Sequence, residues 1–385
     1  MSKQNNGEIQ PIKLGDITKK FNKKEIKDMY FERISTGFPS LDQVLGGGIA
    51  PGFTVLGAVS NLGKSTFVLQ LAENVAKLGI PVLFYSMEMN ATRIASKAIS
   101  RRIFVNKATY EDDSITADNL LSQEYMSRIT EDKWSEVQCA ISDVQKALDN
   151  LYVVEGGEDM NTANHIVENV NAFIKKENVK PVVIVDYLQI LQSENKSGIR
   201  ADLDDNIRIL KRLSNGNSDD GLEEGAGIPV IAISSINRTY YNKPLSMEGF
   251  KESGSIEYSS DVVLGLQFAD VGREVDDGKG GKKEFDMNEA KAKFDRDVVI
   301  IPLKQRYGAC GEPAAFTYYA KYDYFEDGIE KEKRKKKQDK NKIIVKEIKK
   351  EAIEKDNNSK LEIENKEVKK EGVIRPKKKT KTNVF

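Results

Sequence analysis

The sequence predicts an α/β fold built on a largely parallel central sheet covered by helices on both faces, and three observations carry that expectation. Five short apolar runs rich in β-branched residues, at 53–57, 81–86, 151–154, 182–186 and 229–234, lack polar alternation, as do strands buried on both faces. Helical patterns fill the gaps, notably over 90–105, 131–149 and 162–176, as crossovers between parallel strands require. Between the first run and a helical segment at 66–77 lies Ala58-Val-Ser-Asn61-Leu62-Gly63-Lys64-Ser65-Thr66, in the strand–loop–helix context of a phosphate-binding loop.

Residues 1–32 are polar and lysine-rich, with one short amphipathic helix expected near 17–31. The main domain is expected to run from 33 to 327. Within it, the acidic, glycine-rich stretch 215–227 reads as a loop and 276–283 as a hairpin tip. His165, the one histidine, sits in a helical pattern and is expected to lie at the surface or pack on the helix, without a catalytic role. Trp134 follows a helix start and reads as a core anchor. From 328 to 385 the composition turns to Lys, Glu and Asn with isolated Ile or Val, too little apolar surface to offset ordering entropy, so disorder or a transient charged helix is expected.

The formal charge of zero hides an asymmetry: the tail carries about +10 and the rest of the chain about −10. The tail's Arg375-Pro-Lys-Lys-Lys is open to two readings, a nucleic-acid contact or a solubilising extension. Cys139 and Cys310 have neither metal-ligand spacing nor a pairing pattern, which fits free thiols in a reducing, cytoplasmic compartment. No signal peptide is recognisable and no apolar run approaches the ~18 residues of a membrane span, so a soluble protein without membrane contact is expected.

The loop residues carry the first chemistry. Backbone N–H groups of the loop and of the helix start converge on phosphates, and the helix dipole favours negative charge there. Lys64 is expected to reach the β- and γ-phosphates of ATP, and the Ser65 hydroxyl to ligate Mg²⁺. The nucleotide-binding candidates are Ala58, Asn61, Leu62, Gly63, Lys64, Ser65 and Thr66. The competing reading is a glycine turn with no ligand. Asp186, closing the run 182–186, would hold Mg²⁺ from a second side, as a carboxylate at a strand C-terminus does in such folds. Glu88, expected to end the strand that begins at Val82, is placed to activate water, although a strand-terminal Glu serves equally to cap a helix.

These residues belong to a longer series of blocks. They are Thr36-Gly-Phe-Pro-Ser-Leu-Asp42, the 58–66 loop, Tyr85-Ser-Met-Glu88-Met and Val185-Asp186-Tyr-Leu-Gln189-Ile-Leu, then Ala232-Ile-Ser-Ser235-Ile-Asn-Arg238, Lys251-Glu252-Ser-Gly254-Ser-Ile-Glu257 and Lys304-Gln-Arg306-Tyr-Gly308-Ala-Cys-Gly311. In this order they resemble the RecA-like motor domain of the bacterial replicative DNA helicases of the DnaB type, over roughly 34–327. Alanine at position 58, where the general loop pattern has glycine, is typical of that family.

The resemblance implies a RecA-like P-loop NTPase. It implies that Glu88 is the catalytic carboxylate and that Lys304 and Arg306 are catalytic cations reaching the γ-phosphate of a neighbouring subunit. It implies that Lys251, Glu252 and Gly254 lie on a DNA-contacting loop, with Arg208 and Lys211 near a second channel-facing segment. It further implies ATP and Mg²⁺ as cofactors, single-stranded DNA as ligand, a homo-oligomeric, hexameric ring, and a primase or helicase loader as partner. Two departures stand out. Ser235 occupies the position of a γ-phosphate-sensing Gln and is too short to bridge the same distance. About 32 residues precede the motor region, where the family carries a helical collar domain. Two other readings stay open: a recombination ATPase of the RecA and RadA kind, and an ATP-switched DNA-binding module with little unwinding activity.

Overall fold

The computed structural model describes residues 13–19, 32–107, 110, 112–157, 162–192, 198–215, 227–250, 253–276, 280–306 and 308–337. The chain divides into two units, 1–328 and 329–385. In the second, the described residues 329–337 are helical, with Lys333 paired to Glu330 and Lys336 to Glu332 one turn apart. The rest of the tail, the Arg375 cluster included, lies outside the described residues.

The first unit is organised by nine strands in one sheet. Six are parallel: β1 (Gly52–Ala58), β2 (Val82–Ser86), β3 (Leu151–Glu155), β4 (Val182–Asp186), β5 (Pro229–Ser235) and β6 (Val262–Phe268). A small hairpin of β7 (Glu274–Asp276) and β8 (Lys282–Glu284) stands apart. Then β9 (Arg296–Gln305), β10 (Ala314–Tyr319) and β11 (Tyr324–Asp327) extend the sheet antiparallel, in the order β11-β10-β9-β6-β1-β5-β4-β2-β3. In chain order the helices are α1 (Leu14–Thr18), α2 (Pro39–Val44), α3 (Lys64–Lys77), α4 (Ala91–Val105), α5 (Ala117–Leu121), α6 (Gln123–Ser127), α7 (Glu131–Ala147), α8 (Ala163–Glu177), α9 (Ile199–Asn215), α10 (Ser253–Ser259) and α11 (Met287–Ala292).

Local chemistry accounts for the helix boundaries. The Asn90 side chain accepts the Arg93 N–H at 2.9 Å and starts α4. Thr162 accepts the His165 N–H at 3.2 Å and starts α8, and its hydroxyl also shares a 3.0 Å hydrogen bond with His165 Nδ1. The lone histidine is thus part of a helix cap. Helix α9 turns one apolar stripe inward, Leu203, Ile207, Leu210 and Leu213, at the spacing of an amphipathic helix.

The core forms where β1, β2, β4 and β5, buried along nearly their whole length, meet α3, which buries every residue from Thr66 to Ala76 except Asn74. Phe67 of α3 stacks on Phe38 and meets Phe316 and Phe325 edge-on, tying α3 to the last strands. Gln70 closes the open edge of β11: its amide donates to the Phe325 carbonyl at 2.9 Å and accepts the Phe325 N–H at 2.8 Å. Trp134 packs partly buried on a satellite cluster of Ile103, Ile115, Val137 and Ala140.

Several expectations need correction. The strand before Glu88 ends at Ser86, so Glu88 stands in the bend beyond it. The antiparallel wing β9–β11 went unanticipated, because β9 alternates buried with half-buried positions and mixes charged residues among them. Of the expected N-terminal helix only Leu14–Thr18 is described, and residues 20–31 lie outside the described residues. The acidic stretch beyond Asn215, at 216–226, also lies outside them. The hairpin expected near 276–283 is present as β7–β8. Both cysteines are free and exposed. Among the described residues no helix is long and apolar enough to cross a membrane.

Candidate functional site

The C-terminal ends of the parallel strands carry the 58–66 loop, which the sequence marks as a candidate for phosphate binding. Gly57, next to last in β1, has no room for a side chain: a Cβ there would meet the Phe250 ring at 2.4 Å. Gly63 caps α3 with φ +85°, a left-handed conformation, and a Cβ on it would come within 2.8 Å of the Tyr318 hydroxyl. The loop tip is tied down from outside, since the Tyr241 hydroxyl donates to Ser60 Oγ at 2.9 Å and Lys291 Nζ reaches the Ser60 carbonyl at 3.4 Å. Lys64 Nζ lies 3.3 Å from the carbonyl of Ala58, so its ammonium sits over the mouth of the loop. The first N–H groups of α3 point into that mouth without intrahelical acceptors, as at any helix start.

Leu62 and Thr66 contribute differently from expectation. The Leu62 side chain is core, fully buried, so only its backbone faces the loop. Thr66 turns its hydroxyl to Asp323 Oδ1 at 3.0 Å, an acceptor on the wing that also pairs with Lys97 at 2.5 Å. The Thr66 side chain is therefore committed to packing.

Asp186 stands beside the loop at the end of β4. In the sheet β5 stands between β1 and β4, and the Ser65 hydroxyl hydrogen-bonds to the Asp186 carboxylate across that gap. The carboxylate is buried, and its Oδ2 has no hydrogen-bond partner. Burial pushes its pKa up to about 6, against the opposing pull of the Ser65 hydrogen bond, with the Glu88 charge adding to the rise and Lys64 opposing it. A buried carboxylate with one unsatisfied oxygen, beside a serine hydroxyl at the start of a helix, fits the donor set of Mg²⁺, which takes one or two protein oxygens plus phosphate and water. Ser65 and Asp186 would hold it. Glu88 is exposed, and Met87 N–H donates to the Asp186 carbonyl at 2.8 Å, which fixes the two carboxylate-bearing strand ends side by side.

Ser235 ends β5, and Gln189 from the segment after β4 reaches across to it. The Gln189 amide donates to Ser234 Oγ at 2.8 Å, and its carbonyl accepts the Ser235 N–H at 3.4 Å. A long amide thus stands beside the short Ser235, supplied by the neighbouring strand. Sequence reasoning quoted Gln189 only as part of a block, since its partners lie more than forty positions away.

Lys304 and Arg306 are not brought to this site. Strand β9 runs antiparallel to β6, so Lys304 pairs with Val263 and Gln305 with Val262, which themselves sit beside Val55 and Thr54 near the start of β1. Arg306 N–H donates to the Asp261 carbonyl, and Asp261 N–H donates to the Phe53 carbonyl. The loop begins five residues further along β1, roughly 17 Å at ~3.3 Å per residue. The two cations therefore occupy the opposite end of the sheet from their own loop. There Lys304 Nζ donates to the carbonyls of Glu257 and, at 2.7 Å, Ser260, and Arg306 pairs with Asp261 at 3.2 Å and donates to the Tyr258 carbonyl at 3.2 Å. Burial, then the charge of Arg306, lowers the pKa of Lys304.

Of the DNA-contact candidates, Lys251 and Glu252 lie outside the described residues. Gly254 is in the first turn of α10, with open space where a side chain would stand. Arg208 is exposed on α9 and pairs with Asp205. Lys211 is a correction: its ammonium is turned inward onto Asp261, with the side chain 13% exposed, because the buried Asp261 carboxylate needs a counter-charge there.

Comparison with known proteins adds to this geometry. A family model described as the DnaB-like helicase C terminal domain matches residues 33–327. A probable replicative DNA helicase of Trieres chinensis is 26% identical over 312 residues, covering 78% of this chain and 58% of that protein. The replicative DNA helicase DnaB of Geobacillus stearothermophilus is 27% identical over 242 residues, covering 60% of this chain and 46% of that protein. The chain spans about half the length of the curated relatives it matches. Among solved structures, a DnaB-like replicative helicase described with its interactions with primase has the same fold, with TM-score 0.61, 19% identity, and coverage of 81% of this chain and 65% of that one.

Proposed function

The chain belongs to the family of DnaB-like helicase C-terminal domains, and from that premise we propose that it is an ATP-driven, ring-forming motor that moves on single-stranded DNA and separates strands during replication. The observation that carries the reading is the split of the catalytic groups. Loop, Lys64, Ser65, Asp186 and Glu88 lie at one end of the sheet, and Lys304 and Arg306 at the other. Head-to-tail subunits in a closed ring, hexameric in this reading, would place the two cations of one against the loop of the next.

Each residue then has a role. The loop N–H groups and Lys64 hold the β- and γ-phosphates of ATP. Mg²⁺, when bound at Ser65 and Asp186, supplies positive charge to the phosphate oxygens. Glu88 orients a water and takes its proton as the water oxygen bonds to the γ-phosphorus and the bridging P–O bond breaks, giving ADP and phosphate. Arg306 and Lys304 of the adjoining subunit neutralise the charge on the transferring phosphoryl group, so hydrolysis depends on assembly.

The DNA would be held mainly through its phosphates by the 251–254 loop and Arg208, so binding weakens with salt. A primase or loader is the expected protein partner, and the two free thiols fit a reducing, cytoplasmic setting. A second reading, an ATP-switched DNA-binding module, is favoured by Ser235 at the end of β5. Strand displacement on a forked duplex separates the two: the motor unwinds with ATP and Lys64→Ala does not. Nucleotide-dependent DNA binding without unwinding by the wild type would leave the switch.

A further inference from the structure

The end of the sheet opposite the loop is built around one buried carboxylate to which no role has been assigned. Asp261 is 4% exposed. Its Oδ2 accepts the Phe53 N–H at 2.8 Å and a short hydrogen bond from Lys211 Nζ, and its Oδ1 pairs with Arg306. Gly52 is held to glycine by the same group: its φ is +141°, and a Cβ there would come within 2.8 Å of Asp261 Oδ2. Three elements thus converge on one side chain, the start of β1, the helix α9 and the segment after β9.

The second observation concerns α10, the helix that continues from the 251–252 segment. Its C-terminal carbonyls, where the helix dipole is negative, hold both cations: Lys304 on Glu257 and Ser260, and Arg306 on Tyr258. At its other end Ser255 donates to Asp204 of α9. Helices α9 and α10 are therefore clipped to each other and to the pair of cations, with Asp261 at the junction.

We propose that Asp261 is the positioning residue for Arg306, and that α10, whose last carbonyls hold Arg306 and Lys304, transmits contact at the DNA loop to these cations and so to the ATP site of the adjoining subunit. The proposal rests on the motor reading above, and it gives that reading a route for DNA stimulation that does not pass through Ser235. A displacement of α10 moves the carbonyls that hold both cations. Asp261, fixed to the β1 backbone and balanced by Lys211, stays in place and guides Arg306 between its pairing within the subunit and the neighbour's phosphate.

The test is steady-state ATP hydrolysis by the full chain, with and without single-stranded DNA, for wild type and Asp261→Asn. Asp261→Asn leaves the Lys211 ammonium without its counter-charge, so Asp261→Asn combined with Lys211→Gln is measured alongside it. In either variant kcat is expected to fall at least about 10-fold, part of the 10³–10⁵ or so that a trans-acting cation supplies, with KM for ATP within about 2-fold of wild type. Mixing Asp261→Asn subunits with Lys64→Ala subunits, whose cations are intact, is expected to raise the rate per Asp261→Asn subunit several-fold even without DNA. A role confined to stability would not produce that rescue. Ser255→Ala, which leaves Asp261 in place, keeps the DNA-free rate and loses most of the DNA stimulation. The proposal is overturned by an unchanged kcat in the Asp261 variants, by mixed assemblies no faster than Asp261→Asn alone, or by full DNA stimulation of Ser255→Ala. Wild type that never responds to DNA refutes the motor reading instead, and the DNA-free mixing arm still decides the role of Asp261.

Discussion

Arg306 and Asp261 are joined twice, by the 3.2 Å contact between Nη1 and Oδ1 and by the 2.8 Å hydrogen bond from the Arg306 N–H to the Asp261 carbonyl. This double attachment fixes the guanidinium at the start of β1, about five strand residues from the loop of its own subunit. An arginine side chain does not span that distance, so any action of Arg306 on phosphate takes place in another copy of the chain.

Glu88 is exposed and stands beside Asp186 at the strand ends, and the proposed mechanism has it act on water and not hold phosphate. Glu88→Gln is therefore expected to bind nucleotide within about 2-fold of wild type while hydrolysis falls about 10²-fold or more. Equilibrium nucleotide binding and phosphate release measured on the same preparation check this, and a variant hydrolysing at the wild-type rate would remove Glu88 from the mechanism.

Asp186→Asn should separate metal binding from folding. Burial already works against the charged form of this carboxylate, so its replacement by the isosteric amide is expected to leave the nucleotide-free melting temperature unchanged or raised at pH 7. The gain in nucleotide affinity that Mg²⁺ gives the wild type should largely vanish. Titrations with and without Mg²⁺, beside thermal melts, measure both.

Gly63→Ala meets two obstacles at once, a left-handed backbone costing about 1–3 kcal/mol for a residue with a side chain and the Tyr318 hydroxyl 2.8 Å from the new methyl. The melting temperature should drop, and nucleotide binding should be lost with it. Tyr318→Phe in the same chain removes the hydroxyl but leaves the ring carbons 2.7 and 2.8 Å from the methyl, so it should recover little of the stability.

Away from the site, Glu73 of α3 and Arg101 of α4 form a buried ion pair at 2.6 Å, and Arg101 Nε also donates to the Asp323 carbonyl at 2.6 Å. Glu73→Ala strands the guanidinium and should cost about 3–5 kcal/mol in chemical denaturation. Glu73→Ala combined with Arg101→Met should recover much of that loss.

What could be read from the sequence was set by how local each signal is. Strands such as Val182–Asp186 announce themselves as unbroken apolar runs, and the loop residues sit next to one another between a strand and a helix, so the fold and the place of the loop in it were legible together. The antiparallel wing was not, because β9 alternates like a half-buried strand and mixes Asp297, Lys304 and Gln305 among its apolar residues. The inward turn of the Thr66 and Lys211 side chains was not legible because their partners, Asp323 and Asp261, are 257 and 50 positions away. Asp261 carried no motif signal of its own, and only the register of β1, β6 and β9 shows that it lies under Arg306.

The division of the ATP site between subunits is tested most directly by mixing two inactive variants, Lys64→Ala and Arg306→Ala, and measuring hydrolysis against each alone. Neither alone should hydrolyse ATP appreciably, and the mixture should recover a substantial rate, since a Lys64→Ala subunit supplies an intact Arg306 to the intact loop of its neighbour. A mixture as inactive as its components, or an Arg306→Ala protein as active as wild type, would contradict a site completed across the subunit boundary.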